Sequence, residues 1–325
     1  MAQIQLWYGD RQTFARGGLP QRWINILGRI ARPKEGSGLA YSLNDADFMP
    51  LSIGPDLRRL PGIGDFNVEI DHADLEPGEN DVILRLTRED GETEETRVTV
   101  VYEGNARADL PFSVRWEAGR WPPGVQVVDG LWQVQDGHVV PLETGYDRVL
   151  ALGDMEWPDY EVCVPVTMYG HSADCYASPS HGYAVGFVVR WCGHHDRGAD
   201  AYCSGQPRYA WYPAGALAVI RGKHGVPQRL ALNGYDGLKP LAEHHFPEGQ
   251  EIPIGVPYVL SLSVSSRPDG PSHYVFRVWP QGDDEASAWT LEGDGQEEEL
   301  KRGAVVLFSH HLACALGPVD VRPCG

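Results

Sequence analysis

Along most of the chain apolar and polar residues alternate with a period of two, the spacing that sends successive side chains to opposite faces of a β-strand. The cleanest run is YVLSLSVSS, where Tyr258, Leu260, Leu262 and Val264 share one face and Ser261, Ser263 and Ser265 the other. HYVFRVW sets Tyr274, Phe276 and Val278 against His273, Arg277 and Trp279, and YEVCVPVTM sets Tyr160, Val162, Val164, Val166 and Met168 against Glu161, Cys163, Thr167 and Tyr169. The rest of the chain is arranged around GYAVGFVVRWCGHHD, from Gly182 to Asp196, with RYAWYP and ALAVIRGKHG after it. There Tyr183, Val185, Phe187, Val189 and Trp191 fall on one face and Ala184, Gly186, Val188 and Arg190 on the other. A row of small side chains ending in a guanidinium leaves room for a ligand, with a charge at its edge. The bland alternative is a solvated Arg190, with Gly186 marking a bulge.

Before this stretch, QRWINILGRI, LAYSLN, FNVEID, DVILRLT and RVTVVYE have strand length and strand pattern, and Asp90-Gly91 reads as a tight turn between the last two. Phe66, Val68, Ile70, Val82, Leu84 and Leu86 are the expected inward residues. Short strands at this density predict an immunoglobulin-like or fibronectin-like β-sandwich over residues 1–104, without the cysteine pair of antibody domains. The polar, Gly- and Pro-bearing residues 105–111 read as a linker, and residues 112–325 as a second all-β domain. In it, His171 to His181 reads as a long loop, HGVPQRLALNGYDGLKPL as a hairpin, and the acidic segment Gly282 to Glu299 as a solvated connection. AVVLFSHH and PVDVRPC close the domain. No long amphipathic helix is expected.

Composition sharpens this all-β reading. The chain holds 38 Gly and 25 Pro, and its 10 Trp and 14 Tyr far outnumber its 4 Met, as short aromatic strands joined by many turns require. A net charge of −18 repels nucleic acid and anionic membranes over most of the surface. No apolar run approaches the ~18 residues of a membrane helix, and MAQIQLWYGD has no basic stretch before an apolar one, so no signal peptide is expected in this chain. All six cysteines, Cys163, Cys175, Cys192, Cys203, Cys314 and Cys324, follow residue 162 without a CxxC pair. That arrangement gives zinc no clustered thiolates. Disulfides in an extracellular setting are expected over buried thiols, with the connectivity open.

The succession GLWQVQDGHVV, WPDYEVCVPV, GYAVGFVVRW, Tyr258 to Val264, YVFRVW and FSHHLACALGPVDV resembles the concanavalin A-like lectin/glucanase superfamily, in particular its bacterial laminin-G-like members, over about residues 112–325. The resemblance implies a jelly-roll β-sandwich that holds a glycan on its concave sheet. It implies Glu161, Arg190, Arg277 and Trp279 as groove residues, with Tyr209 and Trp211 from the aromatic loop. It also implies calcium as the cation, for which Asp129 and Asp320 are the positions to inspect, while an extracellular or cell-surface location is the expectation that goes with the disulfide reading. Retaining glucanases of the superfamily carry paired glutamates around an aspartate on one strand, and the lyases Gln-x-His with a Tyr-Lys strand. The run Glu-x-Asp-x-Glu and the lyase Gln-x-His are both absent from this sequence.

Twelve histidines include the pairs His194-His195, His244-His245 and His310-His311, with His171, His181 and His224 besides. Neighbours on a strand point apart, so two ligands from one pair are not expected. Single members can converge, and His194 or His195 with Asp196 and one of His310 and His311 would form an acid/base or metal set. Structural hydrogen bonding is the alternative for each. The expected function is recognition of a polysaccharide or other glycan, with Glu161, Arg190, His194, His195, Tyr209, Trp211, Arg277 and Trp279 binding it. Two rivals stand beside it. One is a glycoside hydrolase or polysaccharide lyase using an atypical set drawn from His195, Glu161 and Arg190; the other is a self-assembling surface protein.

Overall fold

The computed structural model describes residues 3–56, 58–104, 107–172, 175, 182–196, 206–223, 225–237 and 239–324. Among them are 24 strands, two short 3₁₀ turns and no α-helix, and no helix long and apolar enough to cross a membrane. His181, Cys203 and His224, together with most of the His171–His181 loop, lie outside the described residues. The chain divides into two compact units: Met1–Gly17, Arg22–Ala106 and Gly193–Ala210 form the first, and Gly18–Gln21, Arg107–Cys192 and Trp211–Gly325 the second.

Unit 1 contains β1 (Ile4–Leu6), β2 (Arg11–Phe14), β3 (Trp23–Ile30), β4 (Gly38–Leu43), β5 (Met49–Leu51), β6 (Asp65–Asp71), β7 (Gly78–Thr87) and β8 (Thr93–Tyr102). They form two sheets, β1-β3-β6 and β2-β8-β7-β4-β5, antiparallel except for the parallel β2–β8 pair. Phe66, Val68, Ile70, Val82, Leu84 and Leu86 are buried, as their alternation requires. The other side of β6 is covered as well, because Gly193–Ala210 belongs to this unit, although its position in the sequence places it in the second domain. The Gln206 side chain caps β6 like a strand partner, its Oε1 accepting from Glu69 N and its Nε2 donating to Glu69 O, both at 2.6 Å. The buried Glu69 carboxylate accepts from Arg59 Nη1 at 2.5 Å and from the Arg208 backbone N–H at 2.8 Å.

Unit 2 opens with β9 (Phe112–Val114), β10 (Val125–Asp129), β11 (Trp132–Gln135), β12 (His138–Pro141), β13 (Arg148–Leu152) and β14 (Tyr160–His171). Then come β15 (Tyr183–Trp191), β16 (Ala216–Lys223), β17 (Val226–Asn233), β18 (Pro240–His245), β19 (Pro257–Ser265) and β20 (His273–Pro280). It ends with β21 (Trp289–Asp294), β22 (Ala304–His310), β23 (Leu312–Leu316) and β24 (Val319–Pro323). The front sheet has the seven-strand order β10-β13-β22-β15-β16-β17-β18, and the back sheet the nine-strand grouping β11-β12-β23-β14-β19-β20-β21 with β24 and β9 at its side. The chain passes repeatedly from one layer to the other, which makes this a jelly-roll sandwich. One such crossing is at His311, where a φ of +49° breaks β22 from β23. The acidic segment from Gly282 is not merely a solvated connection. It contains edge strand β21, whose Leu291 is buried, and it ends at the buried Glu299.

Candidate functional site

The front sheet is apolar on both faces. Val185, Phe187 and Val189 point into the sandwich. Val149, Ala151, Val188, Val219, Ala231 and Val306 pack as a separate cluster with Trp191 and Phe308, without any residue of the back sheet, and so mark the face turned away from the interior. On this front face the cross-strand pairs Gly186↔Val219 and Gly186↔Phe308 bring neighbouring strands close, and a Cβ at Gly186 would overlap the Ala218 carbonyl oxygen. The small residues of β15 therefore serve close strand approach, and they also leave space above the sheet.

That space is a cavity of about 210 Å³ whose walls include Tyr146, Asp147, Trp211, Tyr212, Arg221 and His310 over a floor containing Ala184, Val188 and Val219. Asp147 organises it. Its Oδ1 lies 2.7 Å from His310 Nδ1 and its Oδ2 accepts the Trp211 indole N–H at 3.0 Å, so one carboxylate orients both rings. Trp211 leans on Trp191 and Phe308, with ring centroids 5.9 and 5.8 Å away, and Tyr146 meets His310 edge-on at 5.0 Å. The Tyr212 hydroxyl is pressed against Gly237, and burial first, then the Asp147 charge, raises its pKa, so it stays a neutral donor. A second cavity, of about 70 Å³, adjoins the first through Ala184, Arg221 and His310 and is also lined by Lys223 and Arg229. Half-exposed aromatic rings beside fixed polar groups can hold a sugar, the rings against its C–H faces and the polar atoms on its hydroxyls.

Of the residues singled out in the sequence, Trp211 and His310 are brought together here. Arg190 is not. A bulge between Val188 and Trp191, with a φ of +51° at Arg190, inserts one residue into β15, so Trp191 continues the row of Val188 on the front face. Arg190 is turned away and completely buried. Its Nη1 donates to Ser272 Oγ, and its Nη2 to Asp159 Oδ1 and Ser266 Oγ, each at 2.7 Å; Nε donates to Pro158 O at 2.9 Å. It ties the two layers together instead of meeting a ligand.

Glu161 and Arg277 lie on the outer face of the back sheet, away from the cavity. Arg277 Nη1 stands 3.3 Å from both Glu161 Oε1 and Glu285 Oε1, while Ser261 Oγ donates to Glu161 Oε1 at 2.7 Å. Trp279, on the row of Arg277, is only 8% exposed. Arg190, Arg277 and Trp279 therefore do not share a face.

His194, His195 and Tyr209 belong to unit 1, whereas Trp211 belongs to unit 2. His194 is buried, its carbonyl accepting the Trp23 indole N–H at 2.8 Å; burial first, then the Arg59 charge, hold its pKa well below the ordinary imidazole value. His195 pairs through its backbone with Ala210, and burial followed by the Arg22 charge lowers its pKa too. Both rings are neutral at pH 7. Asp196 stands 3.2 Å from Arg208 Nε, and the Tyr209 ring lies under the Arg58 guanidinium at 4.8 Å.

The calcium positions do not form a site either. Asp129 is buried, its carbonyl accepting the Trp132 indole N–H at 2.8 Å, and Asp320 is ion-paired to Arg115 Nη2 at 2.8 Å. Among the described residues no three His, Cys, Asp or Glu side chains come together as a metal site. Cys163, Cys192, Cys314 and Cys324 carry free thiols, contrary to the expected bridges, and Cys175 Sγ lies 3.3 Å from His171 Nδ1. Burial pushes the thiol pKa of Cys163 and Cys192 up to about 11 and that of Cys314 to about 12.

Reading the sequence alone missed Tyr146, Asp147, Tyr212, Arg221 and Arg229. Arg221 had a usable signal. It ends the alternating row Leu217, Val219, Arg221 in a strand whose partner set is equally apolar. Asp147 had none, since its role depends on two partners 64 and 163 residues away.

No protein family matches the chain in sequence, and no curated protein matches it. Solved structures resemble it distantly. The VIP36 exoplasmic/lumenal domain in its Ca²⁺/Man3GlcNAc-bound form is 10% identical with a TM-score of 0.43, covering 66% of this chain and 88% of that one. A protein of unknown function with a galectin-like fold from Bacillus subtilis is 12% identical with a TM-score of 0.36, over 61% and 88% of the two chains. The PL-14 alginate lyase from Aplysia kurodai is 8% identical with a TM-score of 0.33, over 68% and 85%. None of these likenesses assigns a role to a residue of this chain.

Proposed function

We propose that unit 2 recognises a carbohydrate polymer on its front face, as a concanavalin A-like sandwich of the laminin-G-like kind, and that unit 1 is an immunoglobulin-like module carried with it. For unit 1 the support is the strand order, β1-β3-β6 against β8-β7-β4-β5, which follows the A-B-E and G-F-C-C′ sheets of that module. For unit 2 it is the cavity in which Asp147 fixes Trp211 and His310 beside Tyr146 and Tyr212. Rings held in one orientation lose little freedom when a sugar stacks on them. The test is affinity electrophoresis and calorimetry of the purified protein against a panel of polysaccharides. At least one polymer is expected to bind, and Trp211→Ala to weaken it by roughly tenfold, the size of one aromatic contact. Retention by no polymer, or by Trp211→Ala as tightly as by the parent protein, overturns the reading.

A glycan-cleaving enzyme is the second reading, favoured by one observation. The buried His310–Asp147 pair, at 2.7 Å, borders the cavity beside Tyr146, the arrangement of an oriented acid/base group. It predicts that a bound polymer is shortened, that mass spectrometry detects the fragments, and that His310→Ala abolishes them while binding persists. Intact polymer after prolonged incubation excludes it.

A further inference from the structure

At the polar end of the front face the charges are arranged in a way that a neutral ligand does not account for. Arg221 on β16 and Arg229 on β17 are directly opposed partners. Like charges in that relation destabilise a sheet. Both side chains are half-buried, which strengthens the repulsion. Glu243 answers Arg229 at 3.4 Å, an ion pair short of an aligned hydrogen bond. The Arg221 guanidinium makes no hydrogen bond or ion pair among the described residues. Burial first, and the Arg229 charge second, disfavour its cation. The cavity of about 70 Å³ between these groups is bordered by a third cation, Lys223, and by His310, in a chain whose net charge is −18. Glu243 acts favourably on Arg221 as well, but no carboxylate is among the residues that line this cavity.

We infer that the glycan of this face is acidic, its carboxylate or sulfate seated between Arg221 and Arg229 with Lys223 at the rim, while adjoining sugar rings lie against Trp211 and Tyr212. This rests on the recognition reading and adds the ligand's charge to it. Planar guanidiniums pair bidentately with carboxylate or sulfate oxygens, and binding one relieves the Arg–Arg repulsion at the same time. The cationic and aromatic cavities adjoin one another, sharing Ala184, Arg221 and His310 in their linings. Short oligosaccharides are the probe because they report the local contacts, with little of the long-range, salt-screened repulsion that the net charge of −18 exerts on a polyanion.

The experiment uses the full chain on an array of short oligosaccharides in three classes: uronate-bearing, sulfated and uncharged. Retention of the uronate or the sulfated class is expected, and which of the two is retained identifies the anion. Arg221→Gln and Arg229→Gln should each weaken it by roughly tenfold or more. Arg221→Lys should recover part of the loss, and thermal unfolding would show each variant folded. Should Arg221→Gln fail to fold, Arg229→Gln and the pattern across the three classes decide. Uncharged oligosaccharides bound as tightly as acidic ones, or acidic ones bound equally by the Gln variants, overturn the inference and leave recognition standing. Retention of no class by the folded protein overturns recognition itself.

Discussion

Arg190 spends its guanidinium on internal partners. Besides Ser272, Ser266, Asp159 and Pro158, its Nη1 approaches Leu300 O at 3.4 Å and stands 3.9 Å from the buried Glu299 carboxylate. Removing one member of such a network leaves buried charge uncompensated, so Arg190→Met is expected to lower stability by ~3–5 kcal/mol in urea unfolding. Glycan binding by the folded fraction should be unchanged. A loss under about 1 kcal/mol would show the network to be no stronger than an exposed pair. Alternation placed Arg190 on the front face because it counts residues and cannot see an insertion. One residue in the left-handed region at the bulge reverses every later assignment in the strand. Trp211 was legible for a different reason: RYAWYP crowds aromatic residues and proline into a few positions where no strand pattern holds them.

At the scale of elements, the strands most legible in advance were those with one polar face. In β19 and β20 the inward residues Leu260, Leu262, Val264, Tyr274, Phe276 and Val278 are all fully buried, as their spacing requires. β15 and β6 were harder, because both of their faces are covered and period two then carries no information about which side meets what. Edge strand β21 was missed because its charges outweigh its single buried Leu291. Central β15 is where an element-level change should be felt most. Gly186→Val places side-chain atoms against the Ala218 carbonyl oxygen, so β15 and β16 must move apart. Overpacking of this kind is expected to cost ~1–3 kcal/mol and to distort the cavity floor. Thermal unfolding and a glycan-binding titration check both, and an unchanged melting point would mean that the strands tolerate the wider spacing.

For the whole molecule, acid is the stress that should unmake the sandwich first. Burial opposes the Asp159 charge, but the Ser266 N–H and hydroxyl and the Arg190 guanidinium outweigh it and hold the carboxyl below its ordinary pKa. Glu299 is alike: burial opposes its charge, and Ser272, Lys301 and Tyr274 overcome it. A carboxyl with a depressed folded pKa contributes stability in full above its unfolded value of about 4, and loses it as pH falls through the folded one. The melting temperature should therefore hold steady from neutral pH down to about 5 and drop steeply below ~4. In Glu299→Gln that acid limb should be shallower, and an identical limb would remove Glu299 from the account. At this scale the class of fold could be read from the sequence, but the path of the chain could not, since the residue pattern of Gly193–Ala210 does not say to which unit the segment belongs. That excursion has a consequence for biosynthesis. The earlier-made strands of unit 1 leave the ribosome without the residues that cap β6 and answer Glu69, and must wait until most of the first half of unit 2 has followed. A gene cut after residue 106 would encode a fragment with an open sheet edge and a half-answered buried acid, so the two units are distinct bodies that share one birth.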